Sequence, residues 1–350
     1  MSEPQNNLNL NSNINPKLRT FFPSDQAQLI KELGKETLLE NLRRMLLIRN
    51  FEIRAESAYQ QGKIGGFFHA YIGQEAIQTA VLQALGPNNW YITSYRCHAL
   101  ALLLGATPNE IMAEFYGKAN GNALGRGGSM HLYTDRLLGG FGIVGGQIPI
   151  ATGAAFSIKY RNISNEVAIC FLGDGAVAQG SFHESLNLAS LWDLPCIYVI
   201  ENNMWGMGTS IEKAICVPRL AEDQAPAYNM KGYTFDGMDF FNCYAGFKHV
   251  FNETLRTKRP ALIEVITERF RGHSISDPGL YRTKESLKEC MQRDPILLMQ
   301  QALIKEKMLD EETFKQMEKK EREISVAAMK FAEESPWPDT NTLEKDVFAP

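Results

Sequence analysis

Two apolar runs that end in oxygen-bearing turns constrain this chain more than any other feature. Val167-Ala168-Ile169-Cys170-Phe171-Leu172 is unbroken and followed by Gly173-Asp174-Gly175; Pro195-Cys196-Ile197-Tyr198-Val199-Ile200-Glu201 is followed by Asn202-Asn203. A helix-length segment ending near Leu191-Trp192 separates them. Short apolar runs without alternation read as strands buried on both faces, and strand, helix, strand folds as a right-handed crossover between parallel strands. Both turns then lie on one carboxyl edge of a parallel sheet, where open α/β sheets bind ligands. An Asp and an Asn offer two hard oxygens at that edge, and the glycines let main chain approach a phosphate. Hard oxygens beside a diphosphate make a magnesium site.

The rest of the chain reads as α/β, a mainly parallel sheet flanked by helices. From Lys35 to Gln61, Leu39, Leu42 and Leu46 recur at helical spacing, with Met45, Ile48 and Ile53 widening the stripe; Gly62 and Gly65-Gly66 stop it. A second helix is predicted over Gln74–Leu85, then a short strand Trp90–Thr93 leading into Ser94-Tyr95-Arg96, then a helix from Pro108 to about Tyr116. Residues 117–153 are dense in glycine but interleaved with Met130-His131-Leu132-Tyr133 and Ile143-Val144. That mixture predicts an ordered loop applied closely to a ligand or a subunit, not a flexible linker. The stretch Ile211–Tyr228, with Pro218 and Pro226, is expected to line an entrance. Pro260–Thr267 is a further buried strand, and Arg269–Thr283, rich in Gly, Ser, Asp and Pro, a loop. Asp294-Pro295 caps a helix, and Asp310-Glu311-Glu312 opens another that runs to about Glu334. Residues 1–30 are expected to be a disordered or extended tail, and 31–350 a single domain with a helical C-terminal part.

Composition excludes some functions. A net charge of −4 without a basic run gives no footprint for nucleic acid. No apolar segment reaches the roughly 18 residues that span a bilayer, so no membrane partner is expected. The six cysteines show no paired or zinc-like spacing, which suits reduced thiols, several of them in apolar runs. Met1–Pro16 is Asn-rich and lacks Lys and Arg, unlike a secretory or organellar presequence. A cytoplasmic protein is expected, with an organelle-encoded, stromal one as the alternative.

The spacing of Gly173-Asp174-Gly175 and Asn202-Asn203 resembles the thiamine diphosphate signature. Further blocks narrow it: Gly66-Phe67-Phe68-His69-Ala70-Tyr71-Ile72-Gly73-Gln74-Glu75-Ala76, Tyr95-Arg96-Cys97-His98, Gly125-Arg126-Gly127-Gly128-Ser129-Met130-His131, Gly142-Ile143-Val144-Gly145-Gly146-Gln147, Gly206-Met207-Gly208-Thr209-Ser210 and Arg271-Gly272-His273-Ser274. From about residue 36 to 335 the chain resembles the α subunits of the decarboxylating component of pyruvate dehydrogenase. The branched-chain 2-oxoacid and acetoin dehydrogenase α subunits are its competitors, and a cofactor-binding scaffold without turnover is the non-enzyme reading.

The resemblance implies a thiamine diphosphate-binding fold, oxidative decarboxylation of pyruvate, and transfer of the acetyl group to the lipoyl group of dihydrolipoamide acetyltransferase. It implies magnesium held by Asp174, Asn203 and the main-chain carbonyl of Trp205, a position where tyrosine is common. It assigns Tyr95, Arg96, Gly175 and Ala176 to the diphosphate and Gly142 and Val144 to the aminopyrimidine. His69 and His273 are then active-site histidines, His273 also touching the cofactor. His98, His131 and His183 read as packing residues and His249 as surface. Arg269–Thr283 resembles the family loop that carries regulatory serines, here Ser274, and is expected to be disordered without cofactor and to close over the site when cofactor binds. The glutamate that activates the aminopyrimidine lies on the β chain in two-subunit members. The implied assembly is therefore an α2β2 tetramer, with residues 117–153 and the Ser181–Leu191 helix facing partners.

Overall fold

A computed structural model describes residues 20–345 and 347. In chain order the elements are α1 (Gln26–Gln60), α2 (Glu75–Leu85), β1 (Trp90–Ser94), α3 (His98–Leu103), α4 (Pro108–Phe115), β2 (Leu137–Phe141), α5 (Gln147–Tyr160), β3 (Ala168–Gly173), α6 (Gly180–Leu191) and β4 (Cys196–Asn202). A small hairpin of β5 (Trp205–Gly206) and β6 (Thr209–Ser210) follows, then α7 (Ile211–Ala214), β7 (Lys231–Asp236), α8 (Phe240–Thr257) and β8 (Ala261–Ile266). The chain closes with α9 (Lys284–Met291), α10 (Pro295–Lys305) and α11 (Glu311–Glu334).

Six strands form one sheet in the order β2-β1-β3-β4-β8-β7, and every neighbouring pair is parallel. The chain steps outward from β1 to β2 and then returns to the other side of β1 for β3. Winding reverses between β1 and β3, so a crevice opens over their carboxyl ends. The unbroken apolar runs are accounted for by burial on both faces, since side chains alternate along a strand. Ile169, Phe171, Ile197 and Val199 join a core with α1, α2, α8 and the C-terminal helices. Cys170, Leu172, Tyr198 and Ile200 join a second core with α5 and α6.

Several elements depart from the sequence-based expectation. The first helix begins at Gln26, capped by the Asp25 side chain, and breaks at Gly34, where φ is +72°. The expected tail therefore ends before residue 26, and its residues 1–19 lie outside the described ones. Phe22 N–H donates to the Thr234 carbonyl (2.9 Å), laying main chain along the outer side of β7. The glycine-rich segment holds β2 and the first half of α5, whose Pro149 sits in the first turn, where no helical N–H is lost. β7, α8, α3 and α9 were not anticipated. Ile211–Tyr228 is only partly a rim, because Leu220, Ala221 and Ala225 are fully buried in the second core. Cys97, Cys170, Cys196 and Cys243 are buried free thiols, whereas Cys216 is exposed and Cys290 half-buried.

Candidate functional site

Five neighbouring strands deliver their next residues to one edge. β2 leads to Gly142 and Val144, β1 to Tyr95 and Arg96, and β3 to Asp174, Gly175 and Ala176 in a tight turn. β4 leads to Asn203 and Trp205, and β8 to Arg269 and His273. His69 arrives from the connection between α1 and α2. Gly145, with φ of +83°, lets the turn after β2 press on the start of α6. A Cβ there would lie 3.1 Å from Ser181 Oγ.

Asp174 is 2% exposed and its Oδ2 has no partner. Burial pushes its carboxyl up to about 6, while Arg269 and Arg96 pull it back. Asn203 is buried, its Oδ1 accepting from Trp205 N–H (3.3 Å) and its Nδ2 facing Gln74 Oε1 (3.5 Å). The Trp205 ring lies 4.9 Å from that of Tyr281 and tilted to it by 40°, forming a wall. Among the described residues no three His, Cys, Asp or Glu side chains gather into a metal site. One unpartnered carboxylate oxygen, an amide oxygen and a main-chain carbonyl suit a hard divalent cation that takes its other ligands from phosphate and water.

Beside this acid lie two buried guanidinium groups. Arg96 donates to the carbonyls of Ala70 (2.8 Å) and His273 (2.6 Å), so it ties together the loops that carry the two candidate histidines. Arg269 is 1% exposed, donates to Tyr281 Oη (2.8 Å), lies 3.4 Å from His273 Nδ1, and leaves Nε without a partner. Neither arginine has an ion pair among the described residues. Burial and the neighbouring Arg96 press Arg269 down to about 10. Two desolvated cations side by side call for an anion, and a guanidinium fork fits phosphate. Arg269 and Gln74 were missed as site residues by sequence reasoning. Arg269 was legible in principle, since it follows a predicted strand at the same carboxyl edge.

The His69 ring is 4.3 Å from Tyr95 and 5.1 Å from His273. Burial and then the Arg96 charge lower His69 to about 2 and His273 to about 3, so both are neutral imidazoles. Because Arg269 donates toward His273 Nδ1, the His273 proton is assigned to Nε2. His273 N–H in turn donates to Asp277 Oδ2 (2.6 Å), which also accepts from Tyr281 Oη (2.6 Å). The other histidines have structural partners: His98 lies between Glu52 (2.9 Å) and the Ser129 carbonyl (2.8 Å), and His131 and His183 bond the Gly140 carbonyl and Tyr228 Oη. His249 is exposed and packs on Phe22.

A carboxylate with one unpartnered oxygen, two guanidinium groups without an ion pair among the described residues and two neutral imidazoles stand together on the carboxyl edge of a parallel sheet, in an α/β chain whose site suits a bound diphosphate. The chain belongs to the Dehydrogenase E1 component family, a thiamine diphosphate-dependent family whose profile matches residues 43–341. A Rickettsia felis protein named pyruvate dehydrogenase E1 component subunit alpha is 42% identical over 316 residues, 90% of this chain and 96% of its own length. A protein of the same name from Rhizobium meliloti is 39% identical over 322 residues, 91% of this chain and 92% of its own. The Arabidopsis thaliana pyruvate dehydrogenase E1 component subunit alpha-3, chloroplastic, is 39% identical over 324 residues, 91% of this chain and 76% of its own.

Proposed function

We propose that this chain is the α subunit of a pyruvate dehydrogenase decarboxylating component. It works with thiamine diphosphate and magnesium and passes the acetyl group to the lipoyl group of dihydrolipoamide acetyltransferase. The observation that carries this reading is the charge arrangement: an unpartnered Asp174 oxygen and the unpaired Arg96 and Arg269 on one buried edge. When bound, thiamine diphosphate supplies the carbanion for attack on a 2-oxo acid and the electron sink for loss of carbon dioxide. Asp174, Asn203 and the Trp205 carbonyl would hold the magnesium, and Tyr95, Arg96, Arg269 and the Gly175-Ala176 main chain the diphosphate. Gly142 and Val144 stand at the next strand end, for the aminopyrimidine. His69 and His273, held neutral, present uncharged ring nitrogens to the reacting group as hydrogen-bond partners.

The site has an open side, and this supports a two-chain enzyme. Ile143, Ile150, Tyr160 and Leu191 are 77%, 48%, 79% and 68% exposed along the face made by α5, α6 and the turn after β2. An apolar face of that extent next to a half-built site suits a partner subunit. We assign it to a β chain within an α2β2 tetramer, which would also bring the proton-transfer glutamate that two-subunit members carry on that chain. The loop Arg269–Thr283, carrying Ser274, is already tied to the His69 connection by Phe270 N–H donating to the Ile72 carbonyl (3.1 Å) and Ile275 N–H to the Phe68 carbonyl (2.9 Å), and we assign to it closure over the cofactor. No described helix is long and apolar enough to cross a membrane. We place the protein in the cytoplasm, or in a plastid stroma if it is organelle-encoded.

The test is reconstitution. With magnesium and thiamine diphosphate, this chain alone should release no carbon dioxide from pyruvate, and adding the β chain should restore release. Full activity from the single chain would refute the two-chain reading. A panel of pyruvate, 2-oxobutyrate and branched 2-oxo acids on the assembled enzyme would expose a misassigned substrate.

A further inference from the structure

The geometry points to Glu114 as a positioning residue that acts as an internal anion, setting the shape of the glycine-rich segment and, through it, two walls of the cofactor site. This inference rests on the site assignment above. Glu114 is the penultimate residue of α4 and is fully buried. Its carboxylate accepts four main-chain N–H groups: Oε2 from Ala123 (2.7 Å) and Gly125 (2.9 Å), Oε1 from Gly127 (2.7 Å) and Gly128 (3.0 Å). Converging main-chain N–H groups of this kind form the concavity that elsewhere binds a phosphate. Here the chain fills it with its own carboxylate. The glycines are explained by that wrapping. A Cβ on Gly121 would come within 2.6 Å of Glu114 Cα, and Gly125 and Gly128 have φ of +79° and +61°.

Residues just beyond the cradle reach the site on two sides. Ser129 Oγ donates to the Phe67 carbonyl (2.5 Å), two residues before His69. The Ser129 carbonyl accepts from Cys97 Sγ (3.6 Å) and lies 2.8 Å from His98 Nε2, directly behind Tyr95-Arg96. His131 lies 3.0 Å from the Gly140 carbonyl through Nδ1, and its ring is the nearest neighbour of Gly142, 3.4 Å from where a Cβ would stand. A shift of residues 123–128 would therefore move the His69 wall and the Gly142 wall together, although Glu114 touches neither cofactor nor substrate.

Glu114→Gln tests this. The amide keeps one acceptor oxygen and turns an NH2 toward two of the four N–H donors, so two main-chain groups lose their partner while shape is kept. On the protein assembled with its β chain, amides of residues 121–131 should exchange faster with deuterium while those of β3 and β4 keep their protection. Thiamine diphosphate affinity at fixed magnesium should fall by at least about tenfold. At saturating cofactor, kcat should fall as well, because the displaced wall carries His69. Faster exchange throughout the sheet would mean a general stability role, and a loosened segment with unchanged cofactor affinity would break the link to the site; either overturns the proposal. If Glu114→Gln does not assemble, Gly128→Ala perturbs the same cradle through its positive φ alone, with nothing for the methyl to strike. It should give the same pattern more weakly, and its absence would equally overturn the proposal. The exchange measurement needs neither cofactor nor turnover. Failure of the unsubstituted protein to bind thiamine diphosphate would instead refute the function proposed above.

Discussion

Asp174→Asn should make the cofactor-free protein more stable and at the same time useless. Burial holds this carboxyl at about 6 in the folded chain, against about 3.9 for an ordinary aspartate. An acid whose folded pKa is raised holds its proton more tightly folded than unfolded. Its favourable contribution is complete below the unfolded pKa and is lost as pH rises through the folded one. At neutral pH the group is ionised in both states, so the whole difference opposes folding, about 3 kcal/mol at 1.36 kcal/mol per pH unit. Asparagine keeps the size and the acceptor oxygen that the Asn203 main-chain N–H uses, and it removes the charge. Without cofactor, the variant should melt about 5–10 °C higher at pH 7.5. The advantage should shrink to about half its free energy at pH 5, where the native carboxyl is largely protonated when folded. Magnesium and thiamine diphosphate should raise the melting temperature of the parent protein and leave the variant unmoved, because the one charged side chain among the ligands proposed for the magnesium is gone. The assay is thermal and urea unfolding of both proteins, with and without cofactor, at the two pH values. A variant no more stable than its parent at pH 7.5, or equally advantaged at both pH values, would refute the reasoning.

Two further outcomes are expected. Arg269→Lys keeps a positive charge but loses the fork that reaches Tyr281 and His273. Thiamine diphosphate affinity should drop by about ten- to a hundredfold in a calorimetric titration, and an unchanged affinity would remove Arg269 from the diphosphate site. His69 and His273, lowered to about 2 and about 3, should contribute no inflection to kcat between about pH 5.5 and 7.5, where an unperturbed imidazole titrates. An inflection near pH 6.5 that disappears in His273→Gln would show that the ring is charged in the working site.

The central crossover was legible because its information is local. Periodicity identifies β3 and β4, the turn residues identify their ends, and the chirality of the connection places Asp174 and Asn203 on one edge. The caps at Asp294 and Asp310 likewise placed the starts of α10 and α11 correctly. Other elements were hidden by competing local signals. Glycine density up to Gly153 predicted a loop where α5 begins, and Lys231–Asp236 lacks the continuous apolar run of the inner strands because it lies at the sheet edge. The electrostatic character of the site came only with the tertiary structure. That Arg96 and Arg269 would be buried together beside Asp174 without an ion pair among the described residues, that Gln74 would face Asn203, and that four N–H groups would close on Glu114 all depend on contacts between segments far apart in the chain. By itself the sequence determined which chemical groups stand at the ends of the strands, since strand and turn are short-range properties. Which of those groups lose water, lose their partners and so become reactive was decided by the folding of separate segments onto one another, because desolvation is a property of the surroundings and not of the residue.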